Sequence, residues 1–241
     1  MKPEIIDIEN CYIVGDLHGK WPKFNDWLNK KKPQTIFQVG DFGYWPKANG
    51  TYDIKILMSS RTIEKQIKWF QCGIKNSNTS IYWCKGNHED HRSILTMPNP
   101  EICDKIYYMR FGSVLTLSDG RNVLFVGGAI THNPGAYQMG LDVFPALEQI
   151  KPFEISDLPD CKIDIVISHT CPQRWMKQMI DYQFVRDVSS EILDRVLIKY
   201  QPQLWYFGHF HKYKTGFDSD TDTRWFALNQ LSNTGWFKQL I

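Results

Sequence analysis

The sequence predicts an α/β fold in which a mixed sheet system is covered by helices, and three observations carry that prediction. In the first half, short apolar runs alternate with stretches whose apolar residues recur at helical spacing. In the second half, strand-like runs follow one another across hairpin signals, and throughout the chain such runs end on Asp, Asn or His, most often beside a glycine. The 241 residues fit one domain, 1–241, and a composition of 42% hydrophobic and 22% charged residues belongs to a chain that buries an interior.

Cys11 to Val14 is the first apolar run, and it leads into Gly15-Asp16. Trp21, Phe24, Trp27 and Leu28 then fall on one helical face, so this segment reads strand, loop, helix. Thr35 to Val39 repeats the strand pattern and ends at Gly40-Asp41; Tyr44 to Ser60 reads as a loop, and Ile63, Ile67 and Phe70 suggest a second helix. Ser80 to Cys84 is the third strand and runs into Gly86-Asn87-His88. Ile106 to Met109, Val114 to Leu117 and Asn122 to Val126 are short strands, the last two joined across Asp119-Gly120 as a hairpin. Thr131 to Phe153, broken by glycines and prolines, has room for a short helix around Ala146 to Gln149. Ile163 to Ser168 ends at His169, and a helix from about Ser190 to Tyr200 follows a serine pair placed to cap it. Gln203 to Phe207 ends at Gly208-His209-Phe210-His211, and Arg224 to Leu228 is the last strand.

A net charge of +2, from 28 Lys and Arg against 26 Asp and Glu, supplies no large field for capturing a nucleic acid or a membrane surface. The segment Met1 to Asn10 carries Glu4, Asp7 and Glu9 and no long apolar run, so it is not expected to act as a secretory signal. No run has the length of a membrane-spanning helix. Cys11, Cys72, Cys84, Cys103, Cys161 and Cys171 are scattered with no Cys-x-x-Cys pair, and they read as reduced thiols of a cytoplasmic protein.

Chemistry concentrates at the strand ends. Asp16 and His18 follow one strand, Asp41 the next, Asn87 and His88 the third, and His169 and then His209 and His211 close two later ones. In α/β sheets such ends meet at one edge, where ligands bind, so residues distant in sequence can converge. Imidazole, carboxylate and one amide oxygen without thiolate form a ligand set for Mn, Fe, Zn or Ni rather than for a structural zinc. A carboxylate can bridge two divalent cations, and a pair of cations about 3.5–4 Å apart can clamp a phosphate and generate hydroxide at neutral pH; Asp41 is the candidate bridge. Five of the seven histidines fall in these motifs, a concentration that isolated structural histidines would produce only by coincidence.

Gly15-Asp16-Leu17-His18-Gly19, Gly40-Asp41, Gly86-Asn87-His88-Glu89, His169 and Gly208-His209-Phe210-His211, in that order over residues 15 to 211, resemble the calcineurin-like metallophosphoesterases. The resemblance implies a four-layer α/β/β/α sandwich with two mixed sheets flanked by helices. It implies that Asp16, His18, Asp41 and His211 hold one divalent cation and Asp41, Asn87, His169 and His209 the other, with Mn favoured. It also implies that His88 is not a ligand but stands beside the substrate, donating a proton to the leaving oxygen while a hydroxide bridging the cations attacks phosphorus.

One departure bears on the substrate. The Ser/Thr protein phosphatases of this family read Gly-Asp-x-x-Asp-Arg-Gly at the second motif, whereas here the chain has Gly40-Asp41-Phe42-Gly43-Tyr44-Trp45, without the second acid and the arginine. Arg92 is either a shifted replacement for a phosphate-binding arginine or an exposed residue at a helix start. His132 either contacts a substrate phosphate or sits solvated in its loop, and His91 is equally open. Tyr44, Trp45 and Tyr52 either stack on a nucleobase or pack their loop. The expectation is a phosphomonoesterase or phosphodiesterase acting on a nucleotide or another small phosphorylated molecule. A protein phosphatase, a nuclease and a non-catalytic metal-binding scaffold are the rival readings.

Overall fold

The computed structural model describes residues 5–44, 74, 78–131, 145–180 and 187–240. Its strands are β1 (Ile5–Ile6), β2 (Cys11–Val14), β3 (Thr35–Gln38), β4 (Ser80–Trp83), β5 (Glu101–Cys103), β6 (Ile106–Tyr108), β7 (Ser113–Leu117), β8 (Asn122–Val126), β9 (Ile165–Ser168), β10 (Leu204–Phe207), β11 (Lys214–Asp218), β12 (Thr223–Ala227) and β13 (Phe237–Gln239). The α-helices are α1 (Trp21–Lys31), α2 (His91–Leu95), α3 (Pro145–Glu148), α4 (Gln173–Met179) and α5 (Val188–Tyr200), with a 3-10 helix at Pro152–Asp157.

Two mixed sheets result. One runs β1-β7-β8-β9-β10-β12-β11, parallel from β8 to β12, with antiparallel pairs at β7–β8 and β12–β11. The other runs β13-β2-β3-β4-β6-β5, parallel from β2 to β6 and antiparallel at both edges. The pleat's period of two divides each strand between two faces. Cys11, Ile13, Phe37, Tyr82 and Cys84 meet Val123, Phe125, Ile165, Ile167, Tyr206 and Phe226 in a core between the sheets. Val14, Ile36, Ile81 and Trp83 face the opposite way, onto Trp21, Phe24 and Leu28 of α1 and Ile94 of α2. Leu124, Val126, Val166, Trp205 and Phe207 do the same on the other side, against Trp175, Met176 and Met179 of α4 and Ile192, Leu193, Val196 and Leu197 of α5. Three cores between successive layers make the α/β/β/α sandwich that the motifs led us to expect.

Every strand read from the sequence forms, within two residues at either end. The hairpin across Asp119-Gly120 pairs Val114 with Leu124. The capping of α5 differs from expectation: Asp187 takes that place, accepting from the Ser189 amide at 2.8 Å and the Ser190 hydroxyl at 2.9 Å. The carboxylate outcompetes the serines because it can accept from both at once. Ser189 Oγ instead accepts from the Ile150 amide at 3.0 Å. The helix expected around Ile63, Ile67 and Phe70, the loop from 45 to 60, and Cys72 lie outside the described residues. Among those described, no helix is long and apolar enough to cross a membrane.

Candidate metal centre

The parallel strands β2, β3 and β4 end in register at Val14, Gln38 and Trp83, so the segments after them emerge side by side. β9 and β10 end on the facing sheet at the same rim. Asp16, His18 and Asp41 therefore come from one sheet and His169, His209 and His211 from the other.

Aromatic packing fixes the loop that carries Asp41. Phe42, fully buried, lies 4.9 Å from the Trp21 ring and stacks on Trp83 at 4.8 Å and 12°. The Asp41 carbonyl accepts the amides of Leu17 (3.0 Å) and His18 (2.8 Å), tying the first motif to the second. Glu89 ties in the third: its carboxylate accepts the Gly43 amide at 3.1 Å and the Gly86 amide at 2.9 Å. Burial, and then the nearby Asp41 charge, raise the Glu89 pKa to about 7.

Four of the expected ligands sit in the left-handed backbone region: His18 (φ 47), Asp41 (φ 53), His209 (φ 70) and His211 (φ 50). That conformation disfavours residues with a Cβ, and its clustering at one place is a mark of a functional site. Glycine supplies the clearance. A Cβ at Gly208 would stand 2.0 Å from Asp16 Oδ1, one at Gly86 2.1 Å from Asp41 Oδ1, and one at Gly40 (φ 97) 2.6 Å from the His169 ring.

Two donor groups flank Asp41. In the first, ligand atoms of Asp16, His18, Asp41 and His211 all lie within 4.8 Å of one another. His18 Nε2 and His211 Nε2 are 2.9 Å apart, with Asp16 Oδ2 3.2 Å from the latter and Asp41 Oδ2 3.7 Å from the former. In the second, His169 Nε2 faces Asn87 Oδ1 at 3.0 Å and Asp41 Oδ1 at 3.2 Å, while its Nδ1 donates to the Val39 carbonyl at 2.9 Å. His209 lies alongside, ring to ring with His169 at 4.9 Å, and its amide donates to both oxygens of Asp16.

This chemistry fits divalent cations. With Nδ1 committed to Val39, the neutral His169 ring turns a lone pair toward two oxygens that are themselves acceptors. Only a positive charge between them makes the arrangement favourable. Without metal, a proton takes that place: burial alone would lower the His169 pKa, but the charge and hydrogen bond of Asp41 raise it to about 9. Burial would raise the Asp41 pKa, yet the imidazoles of His169, His88 and His18 hold it well below its ordinary value. His18 is lowered to about 4, chiefly by burial against the opposing charges of Asp41 and Asp16, so its ring is neutral near pH 7.

His88 stands half-buried at the edge, its ring 5.3 Å from that of His18 and its amide bonded to Asp41 Oδ1 at 2.9 Å. Arg92 is exposed on α2. Tyr44 is 8% exposed and packs on Trp83 at 5.6 Å, and burial pushes its pKa up to about 12. Its carbonyl accepts the Asp90 amide at 2.9 Å. Trp45, Tyr52 and His132 lie outside the described residues. His91 is buried, with Nε2 3.1 Å from the Asn87 carbonyl. The sequence reading did not single out Glu89, Thr131 or Glu148. Only Glu89 carried a signal, as the last residue of its motif.

The family model described as calcineurin-like phosphoesterase matches residues 10–213. A comparison with characterised protein sequences returned no match. Among solved structures, the chain is similar to the phosphopantetheinyl hydrolase of Mycobacterium tuberculosis, at 12% identity and a TM-score of 0.51, over 96% of this chain and 95% of that one. It is also similar to a dimetal phosphatase of Danio rerio, at 13% identity and a TM-score of 0.46, over 92% and 87% of the two chains.

Proposed function

The chain belongs to the calcineurin-like phosphoesterase family, and from that premise we propose that it hydrolyses a phosphomonoester or phosphodiester bond of a small phosphorylated molecule, with a nucleotide as the leading class, using two divalent cations. The observation that carries this reading is the pair of donor groups sharing Asp41: Asp16, His18 and His211 on one side, Asn87 and His169 on the other. In our reading His209 completes the second group. An N/O donor set of this kind accepts Mn, Fe, Zn or Ni, and Mn is our first choice. Bound cations would supply Lewis acidity to the phosphoryl oxygens and a nucleophile at neutral pH.

The chain's own residues then divide the work. Asp41 offers one oxygen to each donor group, with Oδ1 toward His169 and Oδ2 toward His18. The hydrogen bond donated by the His88 amide to Asp41 Oδ1 holds the His88 backbone against the site while its ring remains partly open to solvent. That position suits transfer of a proton to the leaving oxygen. A small substrate accords with the net charge of +2, because polymer binding draws on several phosphate contacts. The second acid and the arginine missing from the second motif argue against phosphoprotein substrates.

The test is turnover with Mn²⁺ against monoesters, diesters, cyclic nucleotides, dinucleoside polyphosphates and phosphopeptides, with bound metal counted in parallel. Hydrolysis of a small ester, falling about 10²–10⁴-fold in His88→Ala with both metals retained, is the expected result. Preference for phosphopeptides would replace the proposal with a protein phosphatase. Inactivity throughout with two metals bound would replace it with a scaffold.

A further inference from the structure

A ligand amide must present its oxygen, not its NH₂, to a cation, and the two ends of Asn87 differ only in what they can bond. Asn87 is 6% exposed. Its Oδ1 faces His169 Nε2 at 3.0 Å, and its Nδ2 donates to Thr131 Oγ1 at 3.1 Å. Thr131, also 6% exposed, is bound twice by one carboxylate: its amide donates to Glu148 Oε1 at 2.9 Å and its hydroxyl to Glu148 Oε2 at 3.1 Å. Glu148 is 1% exposed. The hydroxyl has a single proton. Once that proton is directed at Glu148, only lone pairs remain to face Asn87, and these accept NH₂ and repel a carbonyl oxygen.

Glu148 is itself held in place from both sides of the rim. Its carbonyl accepts the Ala129 amide at 3.2 Å, and Lys85 Nζ donates to the flanking carbonyls of Leu147 (3.1 Å) and Gln149 (3.3 Å). α3 is thus pinned between the segment after β8 and the segment after β4 that carries Asn87. Thr131 and Glu148 lie 44 and 61 residues beyond Asn87, so no motif joins them to it.

We infer that Glu148 and Thr131 are positioning residues that set the orientation of the Asn87 amide, turning its oxygen to the second cation. This inference rests on the proposed ligand role of Asn87. A carboxylate at 148 is required because it accepts both Thr131 donors. A carboxamide there would accept only one of them, leaving the hydroxyl proton free to turn toward Asn87 and to favour the reversed amide.

The experiment is calorimetric titration of the metal-free full chain with Mn²⁺, on wild type, Thr131→Val, Thr131→Ser and Glu148→Gln, with Asn87→Ala as reference. Unfolding midpoints of each metal-free variant are measured alongside. Expected is a second binding step about 10–100-fold weaker in Thr131→Val and Glu148→Gln, the range for partners that orient a ligand. The first step should stay unchanged, and Thr131→Ser should restore the second. A general loss of structure would instead weaken both steps and lower the metal-free midpoint, and that outcome would overturn the inference. Two unchanged steps in folded Thr131→Val would also overturn it and leave the ligand role of Asn87 standing. If Asn87→Ala itself keeps both steps, the parent reading fails.

Discussion

The two donor groups should bind cations with different proton accounting, and the difference follows from His169 and His18. A cation requires the neutral ring. In the metal-free protein the His169 pKa lies at about 9, because the Asp41 charge and hydrogen bond outweigh the effect of burial. At pH 7 this is two units above ambient, so about 1% of the rings are neutral. The apparent affinity of the Asn87–His169 group is then on the order of 100-fold below its value at high pH. It should rise about tenfold per pH unit and level off near pH 9. His18, lowered to about 4 by burial, surrenders no proton at pH 7. Calorimetric titration with Mn²⁺ at pH 7 and 8, in buffers of different ionisation enthalpy, should resolve one step that releases about one proton from His169 and strengthens with pH. A second-site affinity equal at the two pH values, with no proton released by His169, would refute the reasoning. The sign for folding is opposite. Because the His169 pKa is raised, its pairing with Asp41 stabilises the metal-free protein fully below the unfolded value of about 6.5 and is lost as pH rises through about 9. Metal-free unfolding should therefore become easier over that interval.

Three further outcomes are expected. Asp41→Asn removes the shared carboxylate and should abolish stoichiometric binding of two cations, checked by metal analysis after desalting. Gly40→Ala places a methyl group 2.6 Å from His169 Nδ1 at a φ of 97, combining backbone strain with overpacking. It should cost about 2–5 kcal/mol in denaturant unfolding and weaken the His169 group more than the His18 group. Asp187→Ala takes the cap from α5 and leaves the Ser189 amide and Ser190 hydroxyl short of an acceptor. A loss of about 1–2 kcal/mol of stability, with cation binding unchanged, is expected by the same unfolding measurement.

The sequence was most informative where a strand ends on a candidate ligand, because two strong signals coincide there. Apolar runs such as Thr35 to Val39 marked the strands, and the polar group after each marked the rim. It was least informative at the sheet edges. β1 has two residues, β5 and β13 three each, and β11, Lys-Thr-Gly-Phe-Asp, buries too little to show an alternating pattern. α4 opens just after Pro172, and its seven residues hold only Trp175, Met176 and Met179 in the core, too short a stripe to read as a helix. The left-handed backbone at His18, Asp41, His209 and His211 was hidden because nothing in those residue types demands it. The bonds from Asn87 through Thr131 to Glu148 were hidden for another reason: they depend on how α3 docks, which is set by tertiary contacts. Tyr44 shows the same limit, since an aromatic beside a ligand motif reads alike whether it faces a substrate or Trp83.

The origin of the donors on two separate sheets has a mechanical consequence. Between the sheets the contact is an apolar, non-directional seam. At the rim, His211 crosses that seam to meet Asp16 and His18, and His169 crosses it to meet Asn87 and Asp41. A cation seated in either group would act as a rivet through both plates. Loading the protein should then raise its resistance to unfolding, so that the metal centre doubles as a fastening.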